Sequence, residues 1–515
     1  MGNISGIIQG FITFFNPSVG IYAIIGFFIG VFFGAVPGLT SCLAIALILP
    51  MTYSMNITNS LVMCMGIYMA GIYAGSITAI TINIPGAPSA MMTAIEGNPL
   101  MKKGKGAKAL GHAAFGSVIG GTIGSVLLIM IAPYSVRLAL MVKTPGKFSL
   151  ILFALVVIIL IQRKSIAKGA IATLLGIMFA TIGIDLMKPM ARFTFGIDIL
   201  VQGIDLMSVI IGTFAISELL IQAESSGKEV SLNEDELKKL KRTDFIPRKE
   251  EIKEIGLWRY LKSSLIGFFI GVLPGAGGSM AAFVSYAEAM RSSKNPDEYG
   301  KGSLEGIAAA ETANNAMCGG ALVPMLIFGI PGDATTAVLL GVLVINGLQP
   351  GPQLMSKQFY LIAPMFAALL ISALIILPVT FYLLGPYFIR IVSIDRGILY
   401  ASIATVAIVG SFVSSFSIFQ MMTTLIFGVI AYFLRKQNYP IVSLLLGFIL
   451  GPMAEDYLRR ALSLGHGSPM IFLKSPDSVF FLVLTVIFYY FLVIKKPIIT
   501  KEELTEKSNG GDVQR

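Results

Sequence analysis

The sequence predicts an all-α polytopic membrane protein with about a dozen transmembrane helices in two inverted-topology repeats, the helices broken at Pro-Gly pairs or folded back as re-entrant hairpins. Three observations predict it. First, 55% of the 515 residues are hydrophobic and only 13% are charged, too little polar surface for a water-soluble globule of this size. Apolar runs of about 15 to 25 residues recur from end to end, near the length a helix needs to cross roughly 30 Å of hydrocarbon. Second, IGFFIGV occurs twice, at 25–31 and 266–272, and each copy runs into a Pro-Gly pair, Pro37-Gly38 and Pro274-Gly275. Third, Ile84-Pro85-Gly86 recurs as Ile330-Pro331-Gly332, so the duplicated features keep their order and spacing.

Along the chain, residues 1–222 read as the first membrane repeat and 223–254, which mix charges of both signs with few large apolar residues, as a cytoplasmic linker. Residues 255–453 form the second repeat, 454–494 an outer loop and an extra C-terminal helix, and 495–515 a cytoplasmic tail. No short apolar stretch with a small-residue cleavage site opens the chain, so the mature protein is expected to start at Met1.

Loop charges orient the halves. After the first break, 51–60 holds no basic residue, whereas 291–301 holds Arg291, Lys294 and Lys301. After the second break the bias reverses, with Lys102, Lys103, Lys105 and Lys108 against the single Lys357. Basic loops face the cytoplasm, so equivalent loops are expected on opposite sides. Arg163, Lys164 and Lys168, set against the uncharged 411–417, agree; Arg137, Lys143 and Lys147 fall on the expected outer side and disagree.

Several function classes drop out. The net charge of +10 is spread over short loops rather than one basic face, which argues against nucleic acid. Cys42, Cys64 and Cys318 show no CxxC spacing and His112 and His466 stand apart, so no structural metal or haem site is expected. No GxxxxGK[ST] loop suggests ATP hydrolysis, and no His-centred constellation in the apolar spans suggests an enzyme. A channel would need a continuous polar path, whereas the polar residues here cluster at the breaks.

A broken membrane helix frees backbone N–H and C=O groups that lipid cannot satisfy. A half-helix starting near the midplane aims its N–H groups and positive dipole end at one spot, which suits a carboxylate, while C-terminal ends suit a cation. The expected substrate-binding residues therefore stand at the breaks. They are Gly38, Thr40 and Ser41; Asn83, Gly86 and Ser89; Gly275, Gly277, Gly278 and Ser279; and Gly332 and Thr335, beside Thr336. Glu311, Asn314 and Asn315 are spaced to share one helix face inside an apolar segment, where an acid and two amides are costly unless they line a cavity or bind something. Asn314 and Asn315 join the substrate set, and Glu311, Asn315 and Asp333 form the cation-coupling set. Asp333 reads more readily as an N-cap for the next helix than as a cation ligand. Paired breaks in inverted repeats suit an elevator-like carrier.

The stretches GAVPGLTSCLAIALILP, NIPGAPSAMMTAIEGNPLMKKGKGAKAL, GVLPGAGGSMAAFVSYAEAM, ETANNAMCGGALVPMLIFGIPG and NGLQPGPQL together resemble the TctA-type large membrane subunit of the tripartite tricarboxylate transporters, from about Gly20 to Pro440. The resemblance implies a multi-pass protein of the bacterial inner membrane that takes up a tricarboxylate or similar small carboxylate by secondary active transport. It implies Na⁺ or H⁺ as coupling ion, no other cofactor, and two partners: a TctB-type small membrane subunit and a periplasmic solute-binding protein. The short outer loops, none long enough for a capture domain, fit such a partner. A self-sufficient cation-coupled transporter of another small solute is the alternative, and the oligomeric state, a homo-oligomer included, stays open. The chain departs from the family pattern at Ala310, where Pro commonly precedes the Glu. It departs again at Asp333, where a small uncharged residue is usual; an added carboxylate there would repel an anion unless a cation sits between.

Overall fold

The computed structural model describes residues 2–161, 165–185, 187–224, 242–388 and 396–494. Arg163, Lys164, most of the expected linker and the tail from 495 lie outside them. Among the described residues nine helices are long and apolar enough to cross a membrane, and five more apolar helices are shorter. Two of the five, Ser41–Thr52 and Ala334–Ile345, start at the breaks, where apolar runs are cut in two. The secondary structure outside the helices is slight, with a two-stranded pairing of Gly183–Ile184 with Ala191–Arg192 and short turns.

After α1 (Gly2–Phe14), the first half runs α2 (Pro17–Ala35), α3 (Ser41–Thr52), α4 (Ile57–Ile82), α5 (Met91–Lys102), α6 (Gly106–Met141), α7 (Thr144–Ile161), α8 (Ile166–Ala180) and α9 (Leu206–Glu224). A short helix, α10 (Lys249–Ile255), precedes the second half. That half runs α11 (Leu257–Val272), α12 (Gly277–Ser292), α13 (Leu304–Phe328), α14 (Ala334–Ile345), α15 (Phe359–Gly385), α16 (Arg396–Ser415), α17 (Ile418–Lys436) and α18 (Ile441–Leu464), followed by α19 (Pro476–Val493). The two halves match element for element, α2 with α11 through to α9 with α18.

Glycine spacing explains the packing around each first break. Gly26, Gly30 and Gly34 of α2 lie against the backbone of Met63, Ile67 and Gly71 of α4, so a Cβ at any of them would strike main chain. Residues four apart share a helix face, and the constant step on both helices means that α2 and α4 run parallel with backbones in contact. The helix between them must therefore double back. Ser41 at the start of α3 touches Gly71, and Thr52 at its end accepts a hydrogen bond from the Ser60 hydroxyl (3.3 Å). The second half repeats this, with Gly267 and Gly271 on Ala313 and Met317, and α12 returning so that Ser285 donates to the Ala309 carbonyl (2.9 Å). The first break of each half is a re-entrant hairpin.

The second break of each half is an unwound step. α4 ends at Asn83 in the left-handed conformation (φ 58), and the chain folds back until Gly86 N–H donates to the Gly75 carbonyl (3.2 Å) before α5 begins. α13 ends likewise at Gly329 (φ 71), and Ile330 N–H reaches the Pro324 carbonyl (3.3 Å) before α14. Here left-handed backbone is required, which glycine adopts freely and asparagine tolerates.

The loops sort into two sets. Lys103 Nζ donates to the Lys301 carbonyl (2.7 Å), joining the loops at 101–108 and 291–301. Thr58 donates to the Leu361 carbonyl (3.4 Å) and Gly351 N–H to that of Leu326 (3.0 Å), which brings the starts of α4 and α15 together with the end of α13. Lys143 and Lys147, which disagree with the charge rule, are held locally: Lys143 N–H donates to Asp477 (2.7 Å), and the Lys147 ammonium lies over the Tyr457 ring (5.6 Å).

Two boundaries differ from the sequence reading. α18 continues past 453 to Leu464, and i,i+4 ion pairs of Arg459 with Glu455 and Arg460 with Asp456 support this added stretch. The end of the linker is ordered, since Phe245 is buried and Glu251 on α10 bonds Lys108 (2.6 Å) and His112 (2.9 Å) of α6. Burial raises the Glu251 carboxyl, but hydrogen bonds from Lys108 and His112 outweigh it and hold it at about 2.

Candidate functional site

Four helices begin at the breaks, and their first turns meet in two pairs. The starts of α3 and α14 join through the Ser41 and Thr335 hydroxyls (3.2 Å), and Cys42 Sγ approaches the Ala334 carbonyl (3.5 Å). The starts of α12 and α5 meet where Gly278 lies beside Ser89 and Asn314. Gly277 (φ +62) connects the pairs, because a Cβ there would stand 3.5 Å from Cβ of Asp333. Positive φ at Gly277 and the absence of a side chain at both Gly277 and Gly278 keep this approach open.

The polar groups at this point are unevenly satisfied. Neither amide atom of Asn314 makes a well-formed hydrogen bond, although the side chain is fully buried and faces the Glu311 carboxyl, and the hydroxyl of Ser89 is unpaired. Asn315 donates Nδ2 to the Met69 carbonyl (3.3 Å), which leaves its Oδ1 unpaired. A buried polar group left without a partner costs about 1 to 3 kcal/mol, so Asn314 and Ser89 beside two helix starts form a place that favours a polar ligand. An amide offers both donor and acceptor, which suits a carboxylate with an attached hydroxyl.

Two buried carboxylates flank these groups, and neither forms an ion pair among the described residues. Glu311 accepts from Thr93 on α5 and from Ser117 on α6 (3.3 Å). Asp333 caps α14: Oδ1 accepts from Thr336 N–H (2.8 Å) and the Thr336 hydroxyl (2.6 Å), while Oδ2 accepts from Tyr68 (3.0 Å). Of the two readings for Asp333, the capping one describes its observed bonds. A third buried acid, Glu96, accepts from Tyr286 (2.6 Å) and from N–H of Gly300 (2.6 Å), Gly302 (2.9 Å) and Ser303 (2.7 Å), and so fastens α5 to α12 and to the turn before α13.

Of the residues expected from the sequence, Ser41, Ser89, Gly277, Gly278, Asn314, Asp333 and Thr335 come together here, with Glu311 one turn from Asn314, whereas Asn315 turns to Met69 of α4. Thr40 caps α3 by accepting from Leu43 N–H (3.2 Å). The other glycines serve different ends. Gly86 and Gly332 press on the carbonyls of Gly34 and Gly271, so they lack side chains for backbone packing and not for a ligand. Gly38 (φ +87) turns against Glu218 and Gln222 of α9, and Gly275 (φ +71) against Ile158 of α7. Asn83 and Ser279 are exposed, away from this centre.

Sequence reasoning missed Tyr68, Thr93 and Ser117, which hold the two carboxylates, and Met317, whose sulfur lies 3.6 Å from the Tyr68 hydroxyl. Tyr68 carried a readable signal, a phenol in the small-residue run MGIYMAGIYAGS of a membrane helix. Thr93 and Ser117 carried none, since single hydroxyls are common in such helices.

The family model described as "Tripartite tricarboxylate transporter TctA family" matches residues 21–446. An uncharacterized 52.8 kDa protein in the TAR-I ttuC' 3' region of Agrobacterium vitis is 32% identical over 486 residues, 94% of this chain and 95% of that protein. An uncharacterized protein in the TAR-II ttuC' 3' region of the same organism is 33% identical over 218 residues, 42% of this chain and 90% of that protein. No solved structure matches significantly. With a family model spanning most of its length and a relative aligned nearly end to end, this chain belongs to the tripartite tricarboxylate transporter TctA family.

Proposed function

We propose that the chain is the large carrier subunit of a binding-protein-dependent transporter of the bacterial inner membrane, taking small carboxylates inward by secondary, cation-coupled transport. The observation that carries the reading is the poorly satisfied amide of Asn314 beside the unpaired Ser89 hydroxyl, at the glycine-opened starts of α12 and α5. Free N–H groups and two positive dipole ends there complement one carboxylate. Glu311, which accepts from the Thr93 and Ser117 hydroxyls, is the coupling carboxylate for Na⁺ or H⁺, with Asn315 one helix turn further along α13, while Asp333 stays engaged as the cap of α14.

The halves are inverted repeats in this reading. Its support is the loop sorting, in which the start of α4 lies with the end of α13 while the loops that follow α5 and α12 meet each other. An elevator-like movement is supported by the division of the helices: α2–α6 and α11–α15 pack around the breaks, whereas α8 pairs with α18 and α9 with α17. A periplasmic solute-binding protein and a TctB-type small subunit complete the assembly.

Reconstitution tests the proposal. Proteoliposomes with a cation gradient should accumulate labelled carboxylate when this chain, the small subunit and the binding protein are all present. Glu311→Gln should uncouple uptake from the gradient. Full-rate uptake at micromolar substrate by the chain alone would end the tripartite reading and favour a self-sufficient carrier. Counterflow that never appears with any carboxylate would end the carrier reading.

A further inference from the structure

The four break helices differ at their first residues. α3 starts under Thr40 and α14 under Asp333, each capped by that side chain, whereas no side chain caps α12, the turn Pro88–Ala90, or α5. The duplication makes the difference legible position by position. The second breaks are offset by 330 − 84 = 246, which sets Asp333 on Ala87; the Pro-Gly pairs are offset by 274 − 37 = 237, which sets Thr40 on Gly277. Each twin pair thus has one capped and one open member. The capped members, α3 and α14, lie side by side, and so do the open ones, where the unpaired Ser89 and the poorly satisfied Asn314 are found.

We infer that Asp333 is a specificity-determining residue: it fills the anion position of α14 with a carboxylate of the chain itself and leaves one open anion position, at Ser89, Asn314 and the start of α12. This rests on the carboxylate-carrier reading and refines its substrate class. A ligand placing one carboxylate at the open pair turns its far end toward Asp333, which borders the start of α12 through Gly277. A second or third carboxylate would meet a like charge in a medium of low dielectric, where repulsion is several-fold stronger than in water. A hydroxyl would instead find an acceptor. The preferred substrate is therefore an acid with one carboxylate and a neutral hydrogen-bonding end, and each further carboxylate weakens binding.

The test measures binding of 2-hydroxybutyrate, malate and citrate, with one, two and three carboxylates, to the purified full-length chain by ligand-dependent thermal shift. Asp333→Asn and Asp333→Ser both keep a side chain that caps helices well, so α14 should still form, and size-exclusion profiles check this. The wild-type chain should bind in the order 2-hydroxybutyrate, malate, citrate. In both variants citrate affinity relative to 2-hydroxybutyrate should rise at least about tenfold, as expected when a nearby like charge is removed. An unchanged ratio in both variants, or citrate bound most tightly by the wild-type chain, would overturn the role of Asp333. Absence of binding by every acid to all three proteins would instead overturn the carboxylate-carrier reading beneath it.

Discussion

Asn314 lies buried in α13 with no well-formed hydrogen bond, one turn from Glu311 and next to a helix start that nothing caps. Such a residue contributes little to folding and is free to contribute to binding. Asn314→Ala and Ser89→Ala should leave the melting temperature within a few degrees and weaken carboxylate binding by about tenfold each, near 1.4 kcal/mol; titration of the purified variants checks both numbers. Gly86→Ala and Gly332→Ala should behave in the opposite way. Their new methyl groups would strike the carbonyls of Gly34 and Gly271, so destabilisation of about 1 to 3 kcal/mol should appear as lower yield and melting temperature before any change in affinity. The residue types of the site were legible because an acid and two amides in an apolar span are costly and stand out. Which glycine faces a ligand and which faces a backbone was not, because both demands select the same residue. The three-dimensional partners of Gly86 and Gly332 decide the matter, and they lie on helices that the sequence does not pair with them.

At the scale of elements, the linker's last turn is clamped to α6. Glu251 bridges Lys108 and His112, and Phe245 packs into the same end. With its carboxyl held at about 2, below the ordinary 4.5, Glu251 is a depressed acid. Its contribution is therefore fully present above about pH 4.5 and is lost as pH falls toward 2. Trp258, exposed and just beyond α10, is the single tryptophan in the chain and reports on this region. Glu251→Gln should lower its fluorescence anisotropy at pH 7, and the wild-type signal should fall toward that of the variant between pH 4.5 and 2; equal anisotropy at pH 7 would show that Glu251 does not hold the strap. The polar composition of 223–254 announced a linker but not this anchoring, because the partners Lys108 and His112 lie in another segment altogether. In the same way the charged turn after Pro452 reads as a loop until its i,i+4 pairs are seen continuing α18.

For the whole molecule, the two loop sets predict an accessibility pattern. Single cysteines placed at 101–108 and 291–301 should resist an impermeant thiol reagent in intact cells, whereas those at 51–60 and 348–357 should react. Equal labelling of 51–60 and 291–301 would end the inverted-repeat reading. Architecture at this scale was the most legible part, since duplicated motifs, their spacing and the reversal of loop charge are all written along one dimension. The separation into re-entrant hairpins and unwound steps was not, because a Pro-Gly pair interrupts a helix without saying which way the chain leaves. That direction comes from the glycine seams. Every fourth residue along Gly26, Gly30 and Gly34, and again Gly267 and Gly271, rests on main chain rather than on side chains that could repack. Contacts of this kind have no slack: a hairpin cannot tilt away from its neighbour by rotamer changes, only by parting from it along the whole seam. In mechanical terms the breaks belong to a piston and not to a pair of jaws, so on the proposed carrier reading the sliding surface should lie outside the seams, where α3 and α14 touch α9 and α18.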